Sequence, residues 1–290
     1  MKRKMLEYVI VDKIPPYELR YLRHNLEENQ EIRLIELSKG KPEKREAQLL
    51  SFPPEKSMFL SMDGEKLQCM KERGMAVLGF SEPEKNERED LSAADMLVEG
   101  FEEIDAEFLT QVYQRKHHLP WKILETKRCL VREITLEDLD DLFVLYSGEG
   151  MTDYIEPLYE YEKEKEYQKA YIENMYGFYG YGMWLVFEKE TGKLIGRAGI
   201  EHREELDGEL ELGYAIGTPY QRKGYATEVC LAIIDYAKER LCCDRLNCLI
   251  EEGNIVSEHL AEKLGFAMCE ELYINQKHMK RYIRNMTKEE

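Results

Sequence analysis

The sequence predicts two domains of α/β class in series. Residues 1–122 read as a small parallel-sheet α/β domain, and residues 123–290 as an α+β domain whose strands are mostly antiparallel. Three observations predict this. In the first 115 residues or so, short apolar strands alternate with helices, the pattern of a parallel sheet covered on both faces. Farther on, the turn pairs Thr191-Gly192 and Asp207-Gly208 separate three strand-like runs, as in a hairpin meander. Between the two regions lies His117-His118-Leu119-Pro120-Trp121, where the proline biases Leu119 away from helix.

The elements of the first region follow in order. Tyr8–Val11 is a short β-branched strand, and Pro15-Pro16 opens a helix that reaches about Glu28. Ile32–Leu37 reads as a strand, Lys44–Leu50 as a short helix and Ser57–Leu60 as a strand. Asp63 is placed as the N-cap of a helix over Gly64–Lys71, with Gly74 closing it. Strands over Met75–Phe80 and Met96–Glu99 and a helix from Ile104 to about Gln114 complete the unit.

In the second region Leu130–Ile134 alternates like a strand, and Thr135 starts a helix that continues through Leu145. A helix is expected from about Glu160 to Tyr176, then strands over Met183–Glu188, Lys193–Ile200 and Leu210–Ile216. The last of these runs through Gly217–Gly224 into an amphipathic helix ending near Leu241.

Composition bounds the function. The formal net charge of −17 supplies no field for wrapping nucleic acid and suits an amine-bearing partner. Seven cysteines, with no CxxC pair, indicate free thiols in a reducing compartment rather than a disulfide framework or a zinc site. The apolar run after Met1-Lys2-Arg3-Lys4 ends at Asp12, too short for a signal peptide, and no stretch is long enough to span a membrane. A soluble cytoplasmic protein, monomer or homodimer, without resident metal is therefore expected. His117-His118 are read as linker, since adjacent side chains rarely converge on one ion.

The chemistry is expected where the third meander strand meets its helix. Gln221-Arg222-Lys223-Gly224-Tyr225-Ala226-Thr227 is a small-residue loop that opens a helix. Such a loop presents consecutive N–H groups at the positive end of a helix dipole, an arrangement that binds phosphate or pyrophosphate. Gly224 permits close backbone approach and Ala226 leaves room for the ligand.

These residues resemble the GCN5-related N-acetyltransferase (GNAT) superfamily, whose loop reads [Gln/Arg]-x-x-Gly-x-[Gly/Ala]. Glu211-Leu212-Gly213-Tyr214 upstream, and Asn254-Ile255-Val256-Ser257 with Leu264-Gly265-Phe266 downstream, extend the likeness over about residues 125–285, toward the branch that acetylates ribosomal-protein N-termini and small amines. The resemblance implies a GNAT α+β fold with a mixed, mostly antiparallel sheet, acetyl-CoA as co-substrate, and two strands splayed apart beside the loop. It places Tyr214, Ala215 and Ile216 along the pantetheine arm. The pyrophosphate falls to the N–H groups of Arg222, Lys223, Gly224, Tyr225 and Ala226 with the Thr227 hydroxyl, beside Gln221, and Asn254 bonds pantetheine or backbone.

An amine nucleophile must lose a proton before it attacks. The resemblance makes Glu211 the candidate base, with Glu209 sharing its face and Glu201 and His202 as alternatives. Many relatives use a tyrosine on the helix after Asn254 to protonate the leaving thiolate. No tyrosine lies between Asn254 and Phe266 here, and Ser257 stands in its place. Aromatic residues crowd the stretch from Tyr154 to Trp184, so Tyr154, Tyr179 and Tyr181, with Glu201, are candidate contacts for a cationic acceptor. Gly177, Gly180 and Gly182 suggest a mobile lid loop. The expected reaction is direct acetyl transfer to a small-molecule amine or a peptide N-terminus; the alternative is a non-catalytic acyl-CoA-binding or regulatory protein.

The first domain resembles a trimmed haloacid-dehalogenase-like or Rossmann-like fold. The family's nucleophilic aspartate falls on Asp12, but the second aspartate two residues on is replaced by Ile14. The domain is therefore expected to be catalytically silent.

Overall fold

In a computed structural model, residues 5–37, 41–82 and 90–286 are described. The chain forms two compact units, Met1–Leu119 and Pro120–Glu290. The first holds a five-stranded sheet, β1 (Tyr8–Asp12), β2 (Arg33–Glu36), β3 (Ser57–Ser61), β4 (Ala76–Phe80) and β5 (Met96–Val98), in spatial order β2-β1-β3-β4-β5. All of its pairings are parallel. Helices α1 (Pro16–Leu26), α2 (Pro42–Leu50) and α3 (Gly64–Glu72) connect β1 to β4 in turn, and α4 (Ala106–Lys116) follows β5. Two buried clusters result, one with Val9, Val11 and Leu60 and the other with Ile10, Phe59 and Val77, so alternate residues of each strand serve opposite faces.

Local chemistry sets the ends of α3. Asp63 accepts the Lys66 N–H at 3.2 Å. At the other end Gly74, at φ +89°, lets its own N–H reach Lys71 O and the Met75 N–H reach Met70 O. This is a Schellman closure, which a residue with a Cβ adopts only under strain.

The second unit carries an eight-stranded mixed sheet in spatial order β12-β13-β11-β10-β9-β8-β7-β6. Its strands are β6 (Lys122–Glu125), β7 (Cys129–Arg132), β8 (Met183–Glu188), β9 (Leu194–Arg203), β10 (Glu209–Ile216), β11 (Arg245–Glu251), β12 (Ala267–Ile274) and β13 (Lys277–Asn285). Among the described residues one pairing, β10 with β11, is parallel and the rest are antiparallel. The helices are α5 (Leu139–Tyr146), α6 (Tyr161–Tyr171), α7 (Tyr225–Glu239) and α8 (Ile255–Lys263). Helix α7 buries Val229, Cys230, Ile233, Ile234 and Ala237, an i, i+4 stripe laid on β9 and β10.

The single helix expected over Glu160–Tyr176 is corrected. Helix α6 ends at Tyr171 and the chain continues as a wider π-helical segment, Ile172–Tyr179, closed by Gly180 at φ +74°. Tyr171 and Tyr176 are the reason. Both are buried, with ring centroids 5.4 Å apart, and both bond Met183, one accepting its N–H and one donating to its carbonyl. Five residues of α-helix would set these rings about 140° apart, whereas a π turn puts them on one face. Gly177 lies inside the π segment rather than in a loop, and Gly182 is where the Tyr171 hydroxyl would meet a Cβ at 2.7 Å.

Candidate active site

Strands β10 and β11 are paired at Glu211↔Asn247, after which they separate. Two cavities open at the split. One, of about 790 Å³, is lined by Leu212, Gly213, Tyr214 and Ala215 on one wall and Cys248, Leu249, Ile250 and Glu251 on the other. The second, of about 450 Å³, lies at the start of α7. Tyr154, Ile155, Tyr214, Ala215, Asn254 and Ser257 line both and form their junction.

The loop before α7 is held from three sides. Gln221 donates its amide to Ile216 O at 2.9 Å, which ties the loop back to β10. Arg222 and Gly224 take positive φ of 58° and 81°, the two reversals that turn the chain into the helix. Arg128 bonds Lys223 O at 2.9 Å, stacks over the Tyr225 ring and pairs with Glu228 at 2.6 Å. Helix geometry leaves the N–H groups of the first turn without intrahelical acceptors, and no side chain caps them. Arg222, Gly224, Tyr225, Ala226 and Thr227 line the smaller cavity, along with Ile216 and Gln221. Lys223 does not line it; its ammonium sits over the Tyr220 ring. Thus a phosphate-bearing ligand fits the donors, positive backbone and open space at this end.

Glu211 stands where the strands part. It is 6% exposed and lines the larger cavity. One carboxylate oxygen accepts the Leu249 N–H at 3.2 Å, in place of the lost strand partner, and the other is bonded by Arg203. Burial pushes the Glu211 carboxyl above its usual range, a shift that Arg203 and the Leu249 N–H only partly offset. Glu201, its register neighbour on β9, also lines the cavity and accepts the Tyr171 hydroxyl at 2.6 Å.

Glu209 is corrected as an alternative base. Its carboxylate is closed by Arg245, Asn247 and Arg281, and it lines neither cavity. His202 also lies away, its ring 4.5 Å from that of Tyr179.

At the junction, Asn254 does two things. Its side-chain oxygen caps α8 by accepting the Ser257 N–H at 3.2 Å, while the residue lines both cavities. Ser257 faces the same space. Beside it the buried Tyr214 hydroxyl meets no partner in hydrogen-bond geometry, and burial pushes its pKa far up, so that it stays protonated. The resemblance assigned Tyr214 a backbone role alone; its side chain could be noticed only once β11 and α8 were in place.

Of the acceptor candidates, Tyr154 and Glu201 reach the cavity, and Tyr154 donates to Gly253 O at 3.0 Å. Tyr179 and Tyr181 do not reach it. They pack on each other, with Tyr179 also on His202. Their places are taken by Tyr146, Tyr159 and Tyr167. Arg197 and Arg203, which the sequence did not single out, complete the charged lining. Strand alternation was the available signal, since both share the face of Glu201.

Comparison with known proteins agrees with this architecture. A family model described as "Acetyltransferase (GNAT) domain" matches residues 128–267. The uncharacterized N-acetyltransferase YoaA of Bacillus subtilis (strain 168) is 28% identical over 149 residues, which cover 50% of this chain and 82% of that protein. The putative ribosomal N-acetyltransferase YdaF of the same strain is 30% identical over 91 residues, 30% of this chain and 50% of that protein. A solved RimL structure, titled a ribosomal L7/L12 alpha-N-protein acetyltransferase, superposes with TM-score 0.50 at 16% identity over 59% of this chain and 97% of that one, a likeness of fold. No group of three or more His, Cys, Asp or Glu that could hold a metal occurs among the described residues, and no helix among them is long and apolar enough to cross a membrane. With the split strands, the uncapped start of α7 and the family match on the same residues, positions 128–267 form an acetyltransferase domain of the GNAT family.

Proposed function

We propose that the second unit transfers an acetyl group from acetyl-CoA directly to a primary amine, on a small molecule or a peptide N-terminus. The observation that carries this is the junction of two cavities at the β10–β11 split, one beside the phosphate-binding end of α7 and the other walled by carboxylates and tyrosines.

Acetyl-CoA supplies an acyl carbon activated by its thioester. The chain's residues do the rest. The first turn of α7 with Thr227 holds the pyrophosphate, and the backbone of Tyr214 to Ile216 on the side that β11 leaves past the split, apart from the Ile216 carbonyl taken by Gln221, holds the pantetheine arm. Cavity carboxylates gather a cationic amine, and Glu211 accepts the proton that the amine sheds as its nitrogen bonds the acetyl carbon. A carboxyl held above its usual range is a better base for an ammonium than an ordinary one. As the carbon–sulfur bond breaks, the Ser257 hydroxyl hydrogen-bonds the departing sulfur, which leaves as the thiolate and takes its proton from solvent.

Calorimetric titration of the full chain with acetyl-CoA, desulfo-CoA and ATP tests the donor, and thiol release with an amine panel tests the transfer. Micromolar binding of both CoA species without ATP supports the reading. No binding of acetyl-CoA removes it.

A further inference from the structure

Three cations line the larger cavity, and two are spoken for. Arg203 pairs with Glu211, while Lys277 pairs with Glu156 and Glu251, each at 3.1 Å. Arg197 differs. It is 9% exposed, and among the described residues its one hydrogen bond is a long one, 3.3 Å, to the Tyr146 hydroxyl. Its Nε is buried without a partner, and no carboxylate among the described residues lies within ion-pair distance.

A guanidinium carries five N–H donors and stays charged at any physiological pH. Burying that charge without a counter-ion is costly, and buried charges are as a rule paired. Position adds to this. Arg197 lies on β9 in register with Ala215, which lines both cavities, so it faces the wall beside their junction. Glu201, four residues along the same face, forms no ion pair among the described residues and is bonded by Tyr171. The cavity thus offers carboxylates to an ammonium and one unpaired guanidinium to an anion.

We infer that Arg197 is an oxyanion-binding residue of the acceptor cavity, and that the acceptor carries a carboxylate or phosphate group in addition to its amine. The inference rests on the acetyl-transfer reading for the name acceptor, but the binding it describes is measurable without transfer. A small amino acid, a short peptide with a free carboxylate or an amino-phosphate fits a cavity of about 790 Å³.

The test is calorimetry on the full chain, alone and saturated with desulfo-CoA, with matched amines. The carboxylate arm compares glycylglycine with glycylglycinamide and 4-aminobutyrate with its amide. The phosphate arm compares phosphoethanolamine with ethanolamine. At least one oxyanion-bearing amine should bind 10-fold or more tightly than its neutral match, and the arm that does so names the oxyanion. Arg197→Gln should bring the pair within 2-fold while leaving desulfo-CoA affinity unchanged, and Arg197→Lys, which keeps the charge, should retain part of the preference. Equal or absent binding of both members in every pair overturns the inference, as does a preference that survives Arg197→Gln. Failure of the CoA titration alone would strike the acetyl-transfer reading and leave the oxyanion preference to stand or fall by itself.

Discussion

Asp12 in the first unit and Glu211 in the second are both buried carboxylates on sheet strands, and both are bonded by arginine. Their surroundings differ. Asp12 has no exposed side-chain surface, and each oxygen is taken by a cation, one by Arg45 and the other by Lys66 at 2.6 Å. Glu211 has one cation, a backbone N–H and an open cavity beside it. A buried acid closed on all sides is a strut of the fold. A buried acid with a raised pKa and room for a ligand is equipped for proton transfer. The comparison teaches that the free volume around a carboxylate, rather than its burial, separates the two roles.

The strongest challenge to that comparison is to remove the donor end of the second site. Gly224 sits at φ +81°, where a side chain is strained, and it lines the smaller cavity, with its Cβ position 3.5 Å from the Arg128 guanidinium. Gly224→Glu is expected to weaken acetyl-CoA binding by more than about 10³-fold, because a carboxylate would be set among donors for pyrophosphate. Calorimetry reads this directly, and retained affinity would detach the α7 loop from the CoA site.

Next is Asp12→Asn. Losing the counter-ion leaves Arg45 and Lys66, both partly exposed, facing each other across a buried amide, and the loss of the charge-assisted hydrogen bonds costs on the order of 2 kcal/mol. Thermal unfolding should register that loss while kcat for acetyl transfer stays level. A drop in kcat at unchanged stability would make Asp12 a functional group and dissolve the contrast.

Glu211→Gln is the complementary substitution. It is expected to lower kcat/KM by about 10²-fold with little change in acetyl-CoA affinity, the usual size of a lost general base. Because the Glu211 carboxyl sits above its ordinary range, the wild-type rate should fall as pH drops through that raised value, and the variant should lack this acidic limb. A variant profile with the same limb would assign the ionisation elsewhere.

The parts of this site that sequence could show are those built by neighbours in the chain. The β10–loop–α7 junction was legible from Gln221, Gly224 and Ala226, because a left-handed turn into a helix is a local demand on residue type. Asn254 as the cap of α8 was legible for the same reason. What failed depends on distant strands. Glu209 and Glu211 are indistinguishable by alternation, and only Arg281 from β13 and Arg245 from β11 close the first while the split leaves the second open. Tyr179 and Tyr181 looked like acceptor residues until the π segment carried them elsewhere. Arg197 shares the face of Glu201 by alternation, but an arginine in a strand is conspicuous only once its missing partner is known.

A third buried carboxylate sharpens the contrast by sign. Asp138 caps the turn before α5, with both oxygens on Arg132 at 2.6 and 2.7 Å and bonds from the Thr135 N–H and hydroxyl. Burial alone would raise its pKa, but these partners outweigh burial and hold it below the usual carboxylate range. Its contribution to stability is therefore complete above the unfolded-state value and is lost as pH falls through the lower folded one. Glu211 runs the other way: its raised folded pKa favours the native state at low pH, and that advantage goes as pH rises through the folded value. At neutral pH, Asp138→Asn should therefore destabilise the protein by on the order of 1 kcal/mol, an effect that shrinks toward zero on acidification. Glu211→Gln should show no such acid-dependent loss, and its stability relative to wild type should improve toward neutral pH. Denaturant midpoints measured at several pH values read both slopes together. Equal slopes for the two variants would mean that Glu211, like Asp138 and Asp12, is held as a charged strut, and the distinction between an acid that supports the fold and one that works in the site would fail at its most quantitative point.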